Sequence, residues 1–346
     1  MATPTLSVLH ISDLHITADK NSKFPFGYDP DQAKALARFV HEKRARFQSI
    51  LVTGDLAHTG RPGDLKAARK FIFAKANAAR GFLTDDGEPT LQGAGCPIHV
   101  MPGNHDRYRH LLGGAGNVNF DQKSKFGTFW KNGLRTVQAF EIPVPNSDYV
   151  VAFLVADCCL PSPSDADPSL SPLAVMGQGL FDDQTRDMIR HATETLRRDR
   201  RVVVLVLHFP PVPPGEIGVF VNPSPMDDDH KLIGHAAALD LAEELDIPLI
   251  VSGHLHVQEC FRPRDGRLEV WCAGTPCARE MPAKAQHMAH IMTFKINAVS
   301  LKRPKVHVRV TRENFHFSSW NKDHFTEVES WDHGHTHTGT SWIEEF

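Results

Sequence analysis

Short apolar runs recur along this chain, and most of them stop at a polar cluster rich in Asp, His, Asn and Gly. Runs of this length, bounded in this way, predict buried strands. Leu6 to Ser12 is the first, Ser49 to Thr53 the second and Pro97 to Met101 the third; Tyr149 to Ala156, Val202 to Leu207 and Ile247 to Ser252 follow. Between them the apolar spacing changes to three and four. Asp31 to Phe47 sets Ala33, Leu36, Ala37 and Val40 on one helical face. Pro62, Gly63 and Asp64 open a helix reaching about Ala79, a proline suiting the first turn. Further helices are expected from about Asp182 to Arg198 and from Lys231 to Leu245. Strand and helix thus alternate, which argues for an α/β layer fold with largely parallel pairing. After His256 the pattern changes: Leu268 to Ala273, His290 to Ile296 and Val306 to Thr311 read as strands without helices between them. No internal repeat is visible, and Ser162 to Pro172 is too short and too enclosed by core elements to be a domain linker.

Composition narrows the class. A chain of 346 residues, 41% hydrophobic and 23% charged, is of ordinary globular character. The formal net charge of −3 gives no global pull toward nucleic acid or an anionic membrane, so nucleic acid is disfavoured as a partner. No apolar stretch is long enough to span a bilayer. Met1 to Ser7 runs straight into the first apolar run without a basic segment, so a signal peptide is not expected and the cytoplasm is the expected compartment. The six cysteines form no C-x-x-C pair and read as reduced, mostly buried thiols. The 21 histidines are unusual, and the run Asp332 to His337 looks able to collect metal, although a polar terminus reads the same way. The expected division is a catalytic domain over 1–318 and a His-rich C-terminal tail over 319–346. Oligomeric state stays open, a homodimer being one candidate.

The polar clusters carry the chemistry. Asp13-Leu14-His15, Gly54-Asp55, Gly103-Asn104-His105-Asp106, His208 and Gly253-His254-Leu255-His256 each supply oxygen or imidazole donors behind a strand-like run. Strand ends meeting at one sheet edge are where α/β folds place their sites. Asp13 and His15 are two apart, as are His254 and His256, so on an extended segment each pair points to one side. The two oxygens of Asp55 allow it to bridge two ions. Asn104 adds a neutral oxygen. Hydrolysis of a phosphate ester at neutral pH needs a strong nucleophile and relief of charge on the phosphoryl oxygens, and two metal ions roughly 3.5–4 Å apart supply both.

The order D-x-H, G-D, G-N-H-[DE], H, G-H-x-H resembles the calcineurin-like metallophosphoesterase superfamily, and every position of that pattern is filled between Asp13 and His256. The resemblance implies a four-layer αββα sandwich, two mixed β-sheets packed face to face with helices outside, the late strands completing the second sheet. It implies that Asp13, His15, Asp55 and His256 hold one ion and that Asp55, Asn104, His208 and His254 hold the other. Manganese, iron, zinc or cobalt suits such O/N donors. His105 would act as general acid or phosphate-stabilising group, with Asp106 orienting it and raising its pKa; Asp106 also reads as a helix N-cap. His58 stands where the purple acid phosphatase branch carries a tyrosine ligand, and is either a site residue or a loop histidine at the mouth. Gly54-Asp55-Leu56, Thr59-Gly60-Arg61-Pro62 and His208-Phe209-Pro210-Pro211 resemble the bacterial cyclic-nucleotide phosphodiesterase and glycerophosphodiesterase branch. The expected substrate is therefore a small phosphodiester, with cyclic nucleotides favoured. A phosphomonoesterase, a nuclease and a non-catalytic scaffold of the same fold are the rivals. Phe24 to Tyr28, Gly113 to Asn119, Pro211 to Pro225 and Gly274-Thr275-Pro276 are candidate pocket walls.

Overall fold

The computed structural model describes residues 3–19, 28–109, 119–120, 137–160, 165, 175, 177–196, 201–212, 231–256, 259–263, 268–277, 288–298, 306–317, 325–337 and 342–344. Two large mixed sheets dominate it. The first contains β1 (Thr5–Ile11), β2 (Ser49–Val52) and β3 (Ile98–Val100), mutually parallel. The second contains β6 (Val137–Pro143), β7 (Val150–Ala156), β9 (Arg201–Leu207), β11 (Leu249–Ser252), β12 (Glu259–Phe261) and β13 (Glu269–Cys272), in the order β12-β13-β11-β9-β7-β6. Its four central strands are parallel and its two edges antiparallel. Two short ribbons lie apart, β4 (Tyr108–Arg109) with β5 (Asn119–Phe120), and β8 (Gly179–Leu180) with β10 (Leu232–Ile233).

The late strands correct one expectation. Of the three, only β13 joins the second sheet. β14 (Met288–Ala298) runs antiparallel to β1, and β15 (Val306–Phe317) follows it, so both extend the first sheet. The reason is local: β1 is otherwise an edge, and an unpaired edge leaves a row of backbone groups unsatisfied. β16 (Phe325–His337) and β17 (Trp342–Glu344), in the stretch read from sequence as a polar tail, continue the same sheet to seven strands.

Side-chain alternation builds the layers. Val151, Phe153 and Val155 of β7 belong to the cluster that includes β1 and β2, whereas Ala152, Leu154 and Ala156 belong to one with Ile189 and Leu239. Both faces of this sheet are therefore covered, which is why its strands read as continuous apolar runs. Helices Pro30–Glu42 and Pro62–Phe73 contribute to the first cluster, and helices Asp183–Leu196 and His235–Glu244 to the second. Asp29 caps the first helix, its carboxylate accepting from the amides of Asp31 and Gln32. Three helices are shorter than the spacing predicts; the first ends at Glu42, a single tighter turn at Arg44–Arg46 following it. The second ends at Phe73 because Ala74 is extended, its carbonyl taken by Thr90 Oγ1. The last begins only at His235, since Leu232 and Ile233 pair with β8. Among the described residues no helix is long and apolar enough to cross a membrane.

Candidate metal centre

Every one of the sequence-predicted ligands lies just beyond the C-terminal end of a parallel strand: Asp13 and His15 after β1, Asp55 after β2, Asn104 after β3, His208 after β9, His254 and His256 after β11. Both sheets contribute, so the site straddles their shared edge. The expectation that Asp13 and His15 share a side through an extended backbone is corrected. Both lie past the end of β1 at positive φ, 52° and 46°, and Asp55, His254 and His256 also have positive φ, 47°, 71° and 57°. Such conformations cost a non-glycine residue on the order of 1 kcal/mol each and persist only where the surroundings impose them. Here the loops bind one another. Asp13 and His15 donate their amides to the carbonyls of Gly54 and Asp55 at 3.1 and 2.9 Å. The amide of His254 reaches Asp13 Oδ2 at 2.9 Å, and Thr275 Oγ1 donates to the carbonyl of Asp13 at 2.6 Å. Gly54, at φ 106°, has no room for a side chain, because a Cβ there would stand 2.3 Å from His208 Nδ1.

These constraints gather the donors into two groups that meet at Asp55. In one, His15 Nε2 lies 2.9 Å from His256 Nε2, 3.9 Å from Asp55 Oδ2 and 4.0 Å from Asp13 Oδ1, and His256 Nε2 lies 3.5 Å from Asp13 Oδ1. Donors about 2.1 Å from one ion can stand at most about 4.2 Å apart, and each of these separations falls within that. Asp13 Oδ1 is buried without a hydrogen-bond partner, which fits an atom reserved for a cation. In the other group His208 Nε2 is 3.5 Å from Asp55 Oδ2 and 3.0 Å from Asn104 Oδ1, and donor atoms of Asp55, His208 and His254 lie within 4.8 Å of one another. The residues fit two ions sharing Asp55. Burial alone would raise the Asp55 carboxyl, but His208, His105 and His15 hold it well below the ordinary range. Burial would lower His208; Asp55 and Asp13 instead push it up to about 9. Burial, then His105 and His256, depress His15.

A sequence profile described as calcineurin-like phosphoesterase matches residues 6–258. The chain belongs to the calcineurin-like phosphoesterase family. No curated protein gives a significant match to the sequence. Among solved structures this member is similar to GAP50, described as the anchor in the inner membrane complex of Plasmodium, at 11% identity over 95% of this chain and 88% of that one, TM-score 0.51. It is also similar to purple acid phosphatase PPD1 from yellow lupin (Lupinus luteus) seeds, at 10% identity over 96% of this chain and 54% of that one, TM-score 0.51. At these identities the likeness is one of fold.

In this family member the surroundings of His105 differ from expectation. Its Nδ1 lies 2.9 Å from the carbonyl of His58, so that carbonyl orients the ring. Asp106, expected to orient it, has its oxygens taken by the amides of Leu56, Ala57 and Gly103 at 3.1, 2.8 and 2.9 Å. It clamps two ligand loops together, nearer to the capping reading. Burial and the neighbouring Asp55 push Asp106 up to about 7, against the pull of those three amides. The His105 amide donates to Asp55 Oδ1 at 2.8 Å, leaving Oδ2 toward the histidines. Sequence reasoning left His58 open; its donor atom falls within 4.8 Å of those of His15 and His105, so the structure brings it to the site. The sequence marks Thr275 only as a pocket wall, because a threonine carries no ligand signal; it is buried and holds Asp13. Arg107, beside the G-N-H-D cluster, is buried and ion-paired with Asp157 at the end of β7. Of the other wall candidates, positions 24–27, 113–118 and 213–225 lie outside the described residues, and Tyr28 is buried.

Proposed function

We propose that this centre hydrolyses small phosphodiesters, in the manner of the cyclic-nucleotide and glycerophosphodiesterase branch that its sequence resembles. The observation that carries a hydrolytic reading is the pair of donor groups meeting at one carboxylate oxygen of Asp55. Asp13, His15, Asp55 and His256 hold one ion, and Asp55, Asn104, His208 and His254 the other, from manganese, iron, zinc or cobalt. Bound there, the ions supply a water of lowered pKa and relief of charge on the phosphoryl oxygens.

The chain's own groups do the rest. A ring whose Nδ1–H is committed to the His58 carbonyl presents Nε2 as its exchangeable position, so His105 in its charged form delivers the Nε2 proton to the departing alkoxide oxygen. His208 keeps its own Nδ1 against the Thr53 carbonyl at 2.7 Å, which turns Nε2 toward Asp55 and Asn104. Support for a diester comes from Arg107. A monoester dianion calls for cationic side chains to meet its second charge, and Arg107, the arginine adjoining the G-N-H-D cluster, is already ion-paired with Asp157. The single charge of a diester is met by the ions and His105. Comparing kcat/KM for bis-p-nitrophenyl phosphate and p-nitrophenyl phosphate at one pH and one metal loading tests this. The diester is expected to be preferred; preference for the monoester would move the chain to the phosphatase side of its family.

A further inference from the structure

Beneath the metal centre, between the sheets, lies a buried polar row that the hydrolytic chemistry does not use. His10 on β1 and His290 on β14 are direct cross-strand partners, both wholly buried. His10 Nδ1 is 2.6 Å from His290 Nε2, and His10 Nε2 is 2.9 Å from Thr53 Oγ1. Thr53 follows β2, and its carbonyl is the group that holds His208 Nδ1 at 2.7 Å. The row therefore runs from His290 through His10 and Thr53 to His208 by direct contacts.

Its polarity follows from ordinary imidazole chemistry. Burial, with Arg312 nearby, lowers His10 to about 3, and burial, then His10 and Arg312, hold His290 well below its usual value, so both rings are neutral. A neutral ring has one N–H and one lone pair. If His10 donates from Nε2 to Thr53, its Nδ1 must accept from His290 Nε2–H, which leaves His290 Nδ1 as a bare lone pair. That atom is buried with no hydrogen-bond partner, and a neighbouring guanidinium favours a lone pair there over a second N–H. The side-chain bond restrains the side chain of Thr53, the residue whose carbonyl aims His208.

We propose that His290 and His10 are positioning residues for His208, acting through Thr53. This rests on the reading of His208 as a metal ligand. His290 lies beyond residues 6–258, the part that matches the family, so the appended strands of the first sheet would help to set the centre as well as cover an edge. The test is titration of metal-free protein with Zn²⁺ against a chelating indicator, for wild type, His290→Leu, His290→Gln and Thr53→Val, with His208→Ala marking which affinity belongs to the His208 ion. In His290→Leu that ion is expected to bind about 10–100-fold more weakly, the usual scale for loss of an outer-sphere partner, while the other ion is unchanged. His290→Gln, whose amide can still donate to His10, should recover part of the loss. Should His290→Leu fail to fold, Thr53→Val removes only the hydroxyl and carries the same expectation. A purely structural role would lower the melting temperature and leave the two affinities unseparated, overturning the proposal. Wild type binding two ions, with both affinities intact in a folded Thr53→Val, overturns the positioning role alone. Wild type binding fewer than two ions overturns the reading of the centre, and this proposal with it.

Discussion

Asp55 Oδ2 lies 3.5 Å from His208 Nε2 and 3.9 Å from His15 Nε2, one histidine from each group, whereas Asp13 Oδ1 lies 3.5 Å from His256 Nε2 and 4.0 Å from His15 Nε2, both of one group. Asp55→Ala is therefore expected to lose both ions and Asp13→Ala mainly one, as read by metal content after gel filtration; equal losses would remove Asp55 from the bridging position. His105 is separable from this. Its ring is oriented by the His58 carbonyl and its amide donates to Asp55, so His105→Ala should keep its metal and lose kcat by about 10²–10⁴-fold, the range for a general acid. The loss should shrink for esters with acidic leaving groups, which need no proton. A constant loss across a leaving-group series would make His105 a phosphate-binding group instead.

At the scale of elements, the site is a set of loops that hold one another in unfavourable conformations, with Asp106 as the tie between those after β2 and β3. Three amides lose their acceptor in Asp106→Ala, and each buried donor left unsatisfied costs about 1 kcal/mol or more. The variant should lose about 3 kcal/mol of stability in urea denaturation, and its metal content should fall with it. A loss below about 1 kcal/mol would show that the loops keep their form without this carboxylate. Asp106→Asn retains one acceptor oxygen and should fall between. The helices depend on such ties less, since their burial on the sheets is distributed over many residues.

At the scale of the molecule, the space between the sheets contains imidazoles that stay neutral in the folded state. His10 is lowered to about 3, and His99, stacked on Phe140 at 3.8 Å, to about 4, by burial in both cases. Their folded values lie below that of an unfolded histidine, about 6.5. Their contribution to stability is then fully present above pH 6.5 and is lost as pH falls toward 4, because only the unfolded chain takes up the protons. Each such group adds at most about 1.4 kcal/mol per pH unit to the slope. Urea denaturation at a series of pH values should show stability falling below pH 6.5, and His99→Phe, which keeps an aromatic ring on Phe140, should flatten the slope by up to one proton. An unchanged slope would mean that His99 charges in the folded state.

The order and donor types of the ligands were legible in the sequence because strand-end chemistry is local: a run of apolar residues ends, and Asp13, Asp55 or His254 follows it. Parallel strands under helices were legible for the same reason, since periodicity reports which face of a short segment is buried. Tertiary structure decided what depends on residues far apart. The positive φ of Asp13 and His15 comes from the loop after β2 pulling on their amides, not from their own propensity. β14 was visible as a strand, but its place beside β1 was not, because a strand pattern does not name its neighbour. Thr275, His10 and His290 carry no ligand signal in one dimension. They acquire a role only where packing two sheets brings a hydroxyl to Asp13 and an imidazole row to the carbonyl behind His208.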